Sequence, residues 1–249
     1  MNGIISALLM TLIAGSATGV GGALVLFRKK ISSNFLAGAL GLSAGVMIFI
    51  SLAELYPEAQ TEIMASGAIE HGKVWVMIAF FIGMGIITLI DFLIPEFENP
   101  HEASGLSLGA QTPAVKVLEH TGNEKALHKL GVMSALAIAI HNFPEGIAVA
   151  IPIYYATKSK GKALLYATVS GFSEVIGALL CLALTAIFGV ELSGNGAIFP
   201  LILAAVAGIM IYISLDELLP TAEKYGKHHI AIAGVVGGMA VMAVSLLLI

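Results

Sequence analysis

Residues 139–152 read AIHNFPEGIAVAIP and place polar and helix-breaking residues inside a strongly apolar stretch. Four of the five positions from 141 to 145 are of this kind, namely His141, Asn142, Pro144 and Glu145. Ionisable side chains are costly inside a bilayer, and a proline removes a backbone hydrogen bond from a helix. A cluster of such residues within an apolar segment therefore indicates a functional site.

The rest of the chain has the composition of an integral membrane protein. It has 249 residues, of which 58% are hydrophobic and 11% charged, whereas soluble proteins carry about 25% charged residues. A helix that crosses a bilayer needs about 20 apolar residues. Seven segments meet that length, and we predict an all-α, polytopic bundle in one domain over residues 1–249. The segments are residues 4–27, 34–56, 74–95, 130–155, 163–189, 197–219 and 229–249.

The connection over residues 96–128 is predicted to be a polar loop, since it is rich in Pro, Gly and Ser. It holds three histidines, His101, His120 and His128. Weak metal capture by these side chains is one interpretation, and a plain solvated loop is the favoured one.

Two segments of the chain repeat one another. Residues 45–57 read GVMIFISLAELYP and residues 208–220 read GIMIYISLDELLP, with nine identities in thirteen ungapped positions. Two unrelated helices of similar composition would not share so many positions. Internal repeats are common in transporters, where the substrate site lies at the repeat interface.

The basic residues do not fit a topology of seven helices. In chain order the six loops hold three, one, three, three, none and two Lys or Arg, so alternate loops hold six on either side. The positive-inside rule predicts a clear bias instead. One extra crossing between the third and fourth loops would give eleven against one, with both termini outside. We therefore predict that one helix is missing, with a re-entrant segment as the alternative.

The sequence HNFPEG at residues 141–146 is called the box. In a helix over 130–155, the polar residues of the box lie close together. His141 and Glu145 are four residues apart, and Asn142 and Glu145 three, so these side chains share a face. Pro144 leaves the carbonyl of Ile140 without its helical partner. An imidazole, an amide oxygen and a carboxylate suit divalent cations such as Zn²⁺, Fe²⁺ or Mn²⁺. Packing, hydrogen bonding between helices or a plain kink would explain each residue singly, but not the whole set.

Other acidic residues lie in the apolar segments. Glu174 is in the middle of one segment, and Ser170 precedes it by one helical turn. A carboxylate inside the membrane indicates a functional site by default. We assign Ser170 to a candidate transport path, together with four acidic residues near helix ends. These are Glu54, Asp91, Asp216 and Glu217.

These motifs resemble the ZIP (Zrt/Irt-like protein) family of divalent metal transporters, particularly its bacterial zinc-uptake branch. The resemblance covers the whole chain and rests on HNFPEGIAV (141–149), SGFSEVIGA (170–178) and the two segments SLAELYP and SLDELLP. It implies eight helices, of which the first three and the last three form an inverted repeat, and a cytoplasmic loop over 96–128. It also implies metal ligands at His141, Asn142, Glu145 and Glu174.

The chain departs from the family in having one box instead of two. The residues before its box resemble the approach to the family's first box, and the residues after it resemble the segment behind the family's second box. An in-frame deletion that fused the two boxes would explain this pattern and the count of basic residues together. If each of the seven helices crosses the bilayer, the repeat is expected to be parallel instead of inverted.

The leading hypothesis is therefore transport of a divalent cation, zinc above all, into the cytoplasm of a bacterium through a multi-pass protein of the inner membrane. Fe²⁺, Mn²⁺ and Cd²⁺ are the other candidate substrates, and no cofactor, enzyme activity or nucleic-acid partner is expected. Two alternatives stay open: a metal-binding membrane protein that does not transport, and an intramembrane metal-dependent hydrolase, against which the absence of HExxH counts. A homodimer, in which a second copy supplies the missing box, also stays open.

Overall fold

The computed structural model describes residues 2–27, 32–93, 124–188 and 196–247, and every regular element in that part of the chain is a helix. The predicted all-α bundle is confirmed, and the described residues form seven helices. Within the described residues, six of these helices, all but the fourth, are long and apolar enough to cross a membrane by length and composition. The seven helices are α1 (Asn2–Phe27), α2 (Ser33–Ser66), α3 (Gly72–Leu93), α4 (Glu124–Thr157), α5 (Lys160–Phe188), α6 (198–225) and α7 (His228–Leu247).

Helices α2 and α6 continue past the prolines at which the sequence predicted their ends. Each contains a π-helical segment, Ser51–Leu55 in α2 and Ile213–Leu218 in α6. In both, a serine hydroxyl donates to the carbonyl four residues before it, at 2.7 Å from Ser51 and at 2.7 Å from Ser214. The wider π-helical turn accommodates the proline that comes after it, so the helix continues. The repeat therefore encodes the same helical irregularity twice.

The predicted loop over 96–128 lies mostly outside the described residues, and so do His101 and His120. Helix α4 begins at Glu124, so the last five predicted loop residues, including His128, are helical instead. The charged side chains of this first turn carry no apolar signal, and the hydropathy pattern therefore placed the helix start too late. From Glu124 the helix continues through Pro144 and Pro152 to Thr157.

Small residues bring each of the two repeat helices, α2 and α6, into close contact with a neighbouring helix. A Cβ atom on Gly45 of α2 would meet the carbonyl oxygen of Val235 in α7, and one on Gly208 of α6 would meet that of Phe80 in α3. Gly45 and Gly208 are the equivalent first residues of the two repeat segments. The α2–α7 and α3–α6 pairs therefore pack in the same way, as small-residue interfaces of membrane helices do.

The two halves of the repeat run in opposite directions. Gly226, just after α6, lies against Ala37 near the start of α2. At the other end, Leu55 of α2 belongs to one apolar cluster with Leu203, near the start of α6. Helices α2 and α6 are thus antiparallel, and the repeat is inverted. The expectation of a parallel repeat is wrong, because it assumed that the helices alternate in direction along the chain, and the contacts of α2 with α6 show that they do not.

The remaining helices, α1, α4 and α5, form a second group. Gly21 of α1 lies against the carbonyl of Phe143 in α4, and Gly15 lies against that of Gly171 in α5. The second half of α4 is buried, from Ile147 to Ile153, against the start of α2. This packing places the box of α4 between α1, α2 and α5.

We expect Gly45→Ala to destabilise the protein, because the added methyl group meets the backbone of α7. Overpacking of this kind costs about 1–3 kcal/mol. Gly237→Ala is the matched control, since a Cβ at Gly237 of α7 would meet nothing within 4 Å. The measurement is the thermal unfolding midpoint of the purified protein in nanodiscs. Equal midpoints for the two variants would contradict the close approach of α2 and α7.

Candidate metal site

The carboxylate of Glu174 is the polar centre of the α1, α4 and α5 group. Glu174 is only 4% exposed. The side-chain nitrogen of Asn142 on α4 lies 2.8 Å from Oε1 and 2.8 Å from Oε2 of Glu174, and donates to both. The hydroxyl of Thr18 on α1 donates to Oε1 at 3.3 Å. Three helices thus contribute to one buried hydrogen-bonded cluster, as a buried carboxylate requires.

His141 precedes Asn142 on the same helix, and its environment differs. Its Nδ1 atom is buried and has no hydrogen-bond partner among the described residues. A buried polar atom without a partner needs an explanation, and a bound ion is one of the standard ones. Neutral imidazole nitrogen is also the commonest protein ligand for transition metals. The unpartnered nitrogen of His141 therefore fits a metal ligand better than a packing residue.

Glu145 completes the predicted set. It lies one turn of α4 after His141, on the helix that also carries Asn142. A carboxylate in a low-dielectric bundle favours a cation beside it. The donor set of one imidazole, one amide and two carboxylates matches the borderline divalent metals Zn²⁺, Fe²⁺ and Mn²⁺.

Ser43 of α2 is a contact that sequence reasoning missed. Its hydroxyl is fully buried and donates to the carbonyl of Pro144 at 2.6 Å. The sequence drew attention to the carbonyl of Ile140, which loses its helical partner at Pro144, whereas the bond from α2 reaches the carbonyl of the proline itself. It joins α2 to the middle of the box.

Thr18 was also missed, because a threonine among glycines and alanines in an apolar helix carries no strong signal. Only the packing of α1 on α5 places its hydroxyl beside Glu174. Ser170 lies one turn before Glu174 on α5 and is partly buried. Its assignment to the transport path stays a prediction.

Three of the other predicted path residues lie together at a second location. Oxygen atoms of Asp91 on α3 and of Asp216 and Glu217 on α6 lie within 4.8 Å of one another. Glu54 is in the repeat-equivalent segment of α2 and lies outside that cluster. Exposed acidic groups often gather without binding a metal, so this arrangement alone does not define a site.

An inverted repeat of membrane helices, together with a buried hydrogen-bonded pair of Asn142 and Glu174, defines a polytopic membrane protein of the transporter class. A family model described as "ZIP Zinc transporter" matches residues 126–246. The chain is 42% identical to "Zinc transporter ZupT" of Clostridium perfringens, over 100% of this chain and 97% of that protein. It is 43% identical to the protein of that name in Streptococcus mutans, over 98% of each chain. The chain belongs to the ZIP family.

This membership confirms the predicted family and the multi-pass membrane location, and it agrees with the prediction that the chain is not an enzyme. A third relative, "Zinc transporter ZupT" of Chlorobium phaeovibrioides, is 44% identical over 279 residues, and the alignment covers 100% of both chains. Since this chain has 249 residues, at least 30 positions of that alignment have no counterpart in it. That length suffices for one membrane helix of about 20 residues with its connection. The difference agrees with the missing helix inferred from the basic residues.

We expect Asn142→Leu to destabilise the fold, because it removes both hydrogen bonds from Asn142 to a buried carboxylate. Hydrogen bonds to charged groups contribute about 1.5–3 kcal/mol. The double variant Asn142→Leu/Glu174→Leu removes the buried carboxylate as well, and should be more stable than the single variant. Thermal unfolding in nanodiscs measures both. A single variant as stable as the wild type would show that the Asn142–Glu174 contact contributes nothing to the fold.

Proposed function

We propose that this chain moves a divalent cation, zinc above all, across the membrane, and that His141, Asn142, Glu145 and Glu174 bind it on the way. The observation that carries this proposal is the buried cluster itself. Asn142 is hydrogen-bonded to the buried Glu174, and the preceding residue of the same helix, His141, has a buried Nδ1 without a partner among the described residues, in a chain of the ZIP family. Zinc is supported as the substrate by the relatives, which are named as zinc transporters.

The arrangement of Asn142 suggests how a cation enters the site. A carboxylate can only accept hydrogen bonds, so Asn142 must present its NH₂ group to Glu174. To act as a ligand, Asn142 presents Oδ1, which requires a half-turn of its terminal amide. A cation that arrives at Glu174 replaces the NH₂ group as the positive partner of the carboxylate. The amide is then free to turn its oxygen towards the cation.

Metal binding without transport is the second candidate function. It is favoured by the single box and by the 30 or more alignment positions that the chain lacks relative to the Chlorobium protein. In this case the purified protein binds Zn²⁺ but carries none across a membrane. A measurement of binding and of transport on the same preparation separates the two candidates.

The test is uptake of radioactive zinc by proteoliposomes, together with Zn²⁺ binding by the same protein. We expect His141→Ala, Glu145→Ala and Glu174→Gln to reduce both to the level of empty liposomes, because each removes one of four ligands. Glu70→Gln is the control, since it removes a carboxylate from the exposed connection before α3. Wild-type uptake at background with intact binding would establish the second candidate. Absence of both would overturn the proposed site.

The acidic path residues are tested by comparing the uptake rate with the affinity for Zn²⁺. If Asp91, Asp216 and Glu217 line the path, we expect Asp216→Asn to lower the maximal uptake rate. The affinity of the purified protein for Zn²⁺ should be unchanged, because the box is intact. Glu70→Gln serves again as the exposed control. An uptake rate equal to that of the wild type would remove Asp216 from the path.

A further inference from the structure

Helices α1 and α5 contact each other reciprocally. A Cβ atom on Gly15 of α1 would meet the carbonyl oxygen of Gly171 in α5, and one on Gly171 would meet that of Gly15. A contact in which each residue touches the other in the same way is the signature of a two-fold relation. Further along, Gly19 faces Thr168 and Gly22 faces Ala167, so the two helices are antiparallel.

This relation makes Thr18 the counterpart of Glu174. Each lies three residues after its glycine, Thr18 after Gly15 and Glu174 after Gly171. The aligned segments are LIAGSATGVGGAL at 12–24 and TVSGFSEVIGALL at 168–180, which share only three of thirteen positions. Sequence comparison alone could not establish the correspondence, and the reciprocal contact agrees with an inverted repeat that includes α1 and α5.

The surroundings of Glu174 show what Thr18 does at this position. Thr18 has no exposed surface, and its Oγ1 donates to Oε1 of Glu174 at 3.3 Å. A Cβ on Gly15 would lie 3.6 Å from the carboxyl carbon of Glu174, so the carboxylate rests against α1 where no side chain intervenes. Helix α1 therefore supports one oxygen of Glu174, while Asn142 of α4 donates to both.

We propose that Thr18 is a positioning residue of the metal site, which anchors Oε1 of Glu174 and thereby orients Oε2 towards the box. This inference rests on the proposed metal-binding function. Carboxylate ligands of metals are themselves held by hydrogen bonds, and loss of such a partner typically costs roughly 10–100-fold in metal affinity. Thr18 is such a partner, and it remains bonded to Oε1 when Asn142 turns away.

The experiment uses the full chain in nanodiscs and three variants. Thr18→Val keeps the shape and removes the hydroxyl, and Thr18→Ser keeps the hydroxyl. Thr168→Val is the matched control, because the hydroxyl of Thr168 on α5 bonds to the carbonyl of Leu164 in its own helix. We expect Thr18→Val to weaken Zn²⁺ binding roughly 10-fold or more, while Thr18→Ser and Thr168→Val bind as the wild type does.

Infrared spectroscopy supplies a second readout that does not depend on metal. The carboxyl band of Glu174 is identified as the band that Glu174→Gln removes, and we expect Thr18→Val to shift it and Thr168→Val to leave it in place. An unshifted band overturns the positioning role, whether or not the protein binds zinc. A shifted band with wild-type zinc affinity also overturns it. If the wild type itself binds no zinc, the proposed function fails instead, and the band still reports on the Thr18–Glu174 bond.

Discussion

The burial of the Glu174 carboxylate is the constraint on which the site depends. A carboxylate in an apolar bundle must be surrounded by donors. Asn142 of α4 and Thr18 of α1 supply them. One side chain thereby fixes the relative rotation of three helices, since a turn of α1 or α4 about its axis would remove the donor. The box is accordingly held in place by the carboxylate with which we propose that it binds a cation.

The donors reach Glu174 only because the helices approach closely. Gly15, Gly171 and Gly146 lie directly against the backbones of neighbouring helices, where a side chain would hold those backbones apart. Without a hydrophobic driving force between helices in lipid, this close contact is also a main source of their association. The same small-residue contacts thus stabilise the bundle and set the distances within the site.

The sequence predicted much of this structure, for identifiable reasons. The apolar segments are long, so their number and approximate bounds were recognised, and nine identities exposed the repeat between α2 and α6. The direction of the repeat was not predicted correctly, since it depends on contacts such as Gly226 with Ala37. The box and Glu174 stood out as polar residues in apolar surroundings. Thr18 and Ser43 did not, because a hydroxyl is inexpensive in a membrane helix and its partner lies on another helix.

The local two-fold relation between α1 and α5 also bears on how many metal ligands a single box can supply. Helices α1 and α5 are equivalent in their mutual contact, but α4 supplies His141, Asn142 and Glu145 from one side of the pair only. Equivalent metal ligands on the other side of the α1–α5 pair would require a second box, which this chain lacks. With Glu174, the single box provides four donors, and four suffice for one tetrahedral zinc ion. On the proposed ligand set, the box and Glu174 hold one metal ion, so the missing helix predicted from the basic residues would reduce the site without abolishing it.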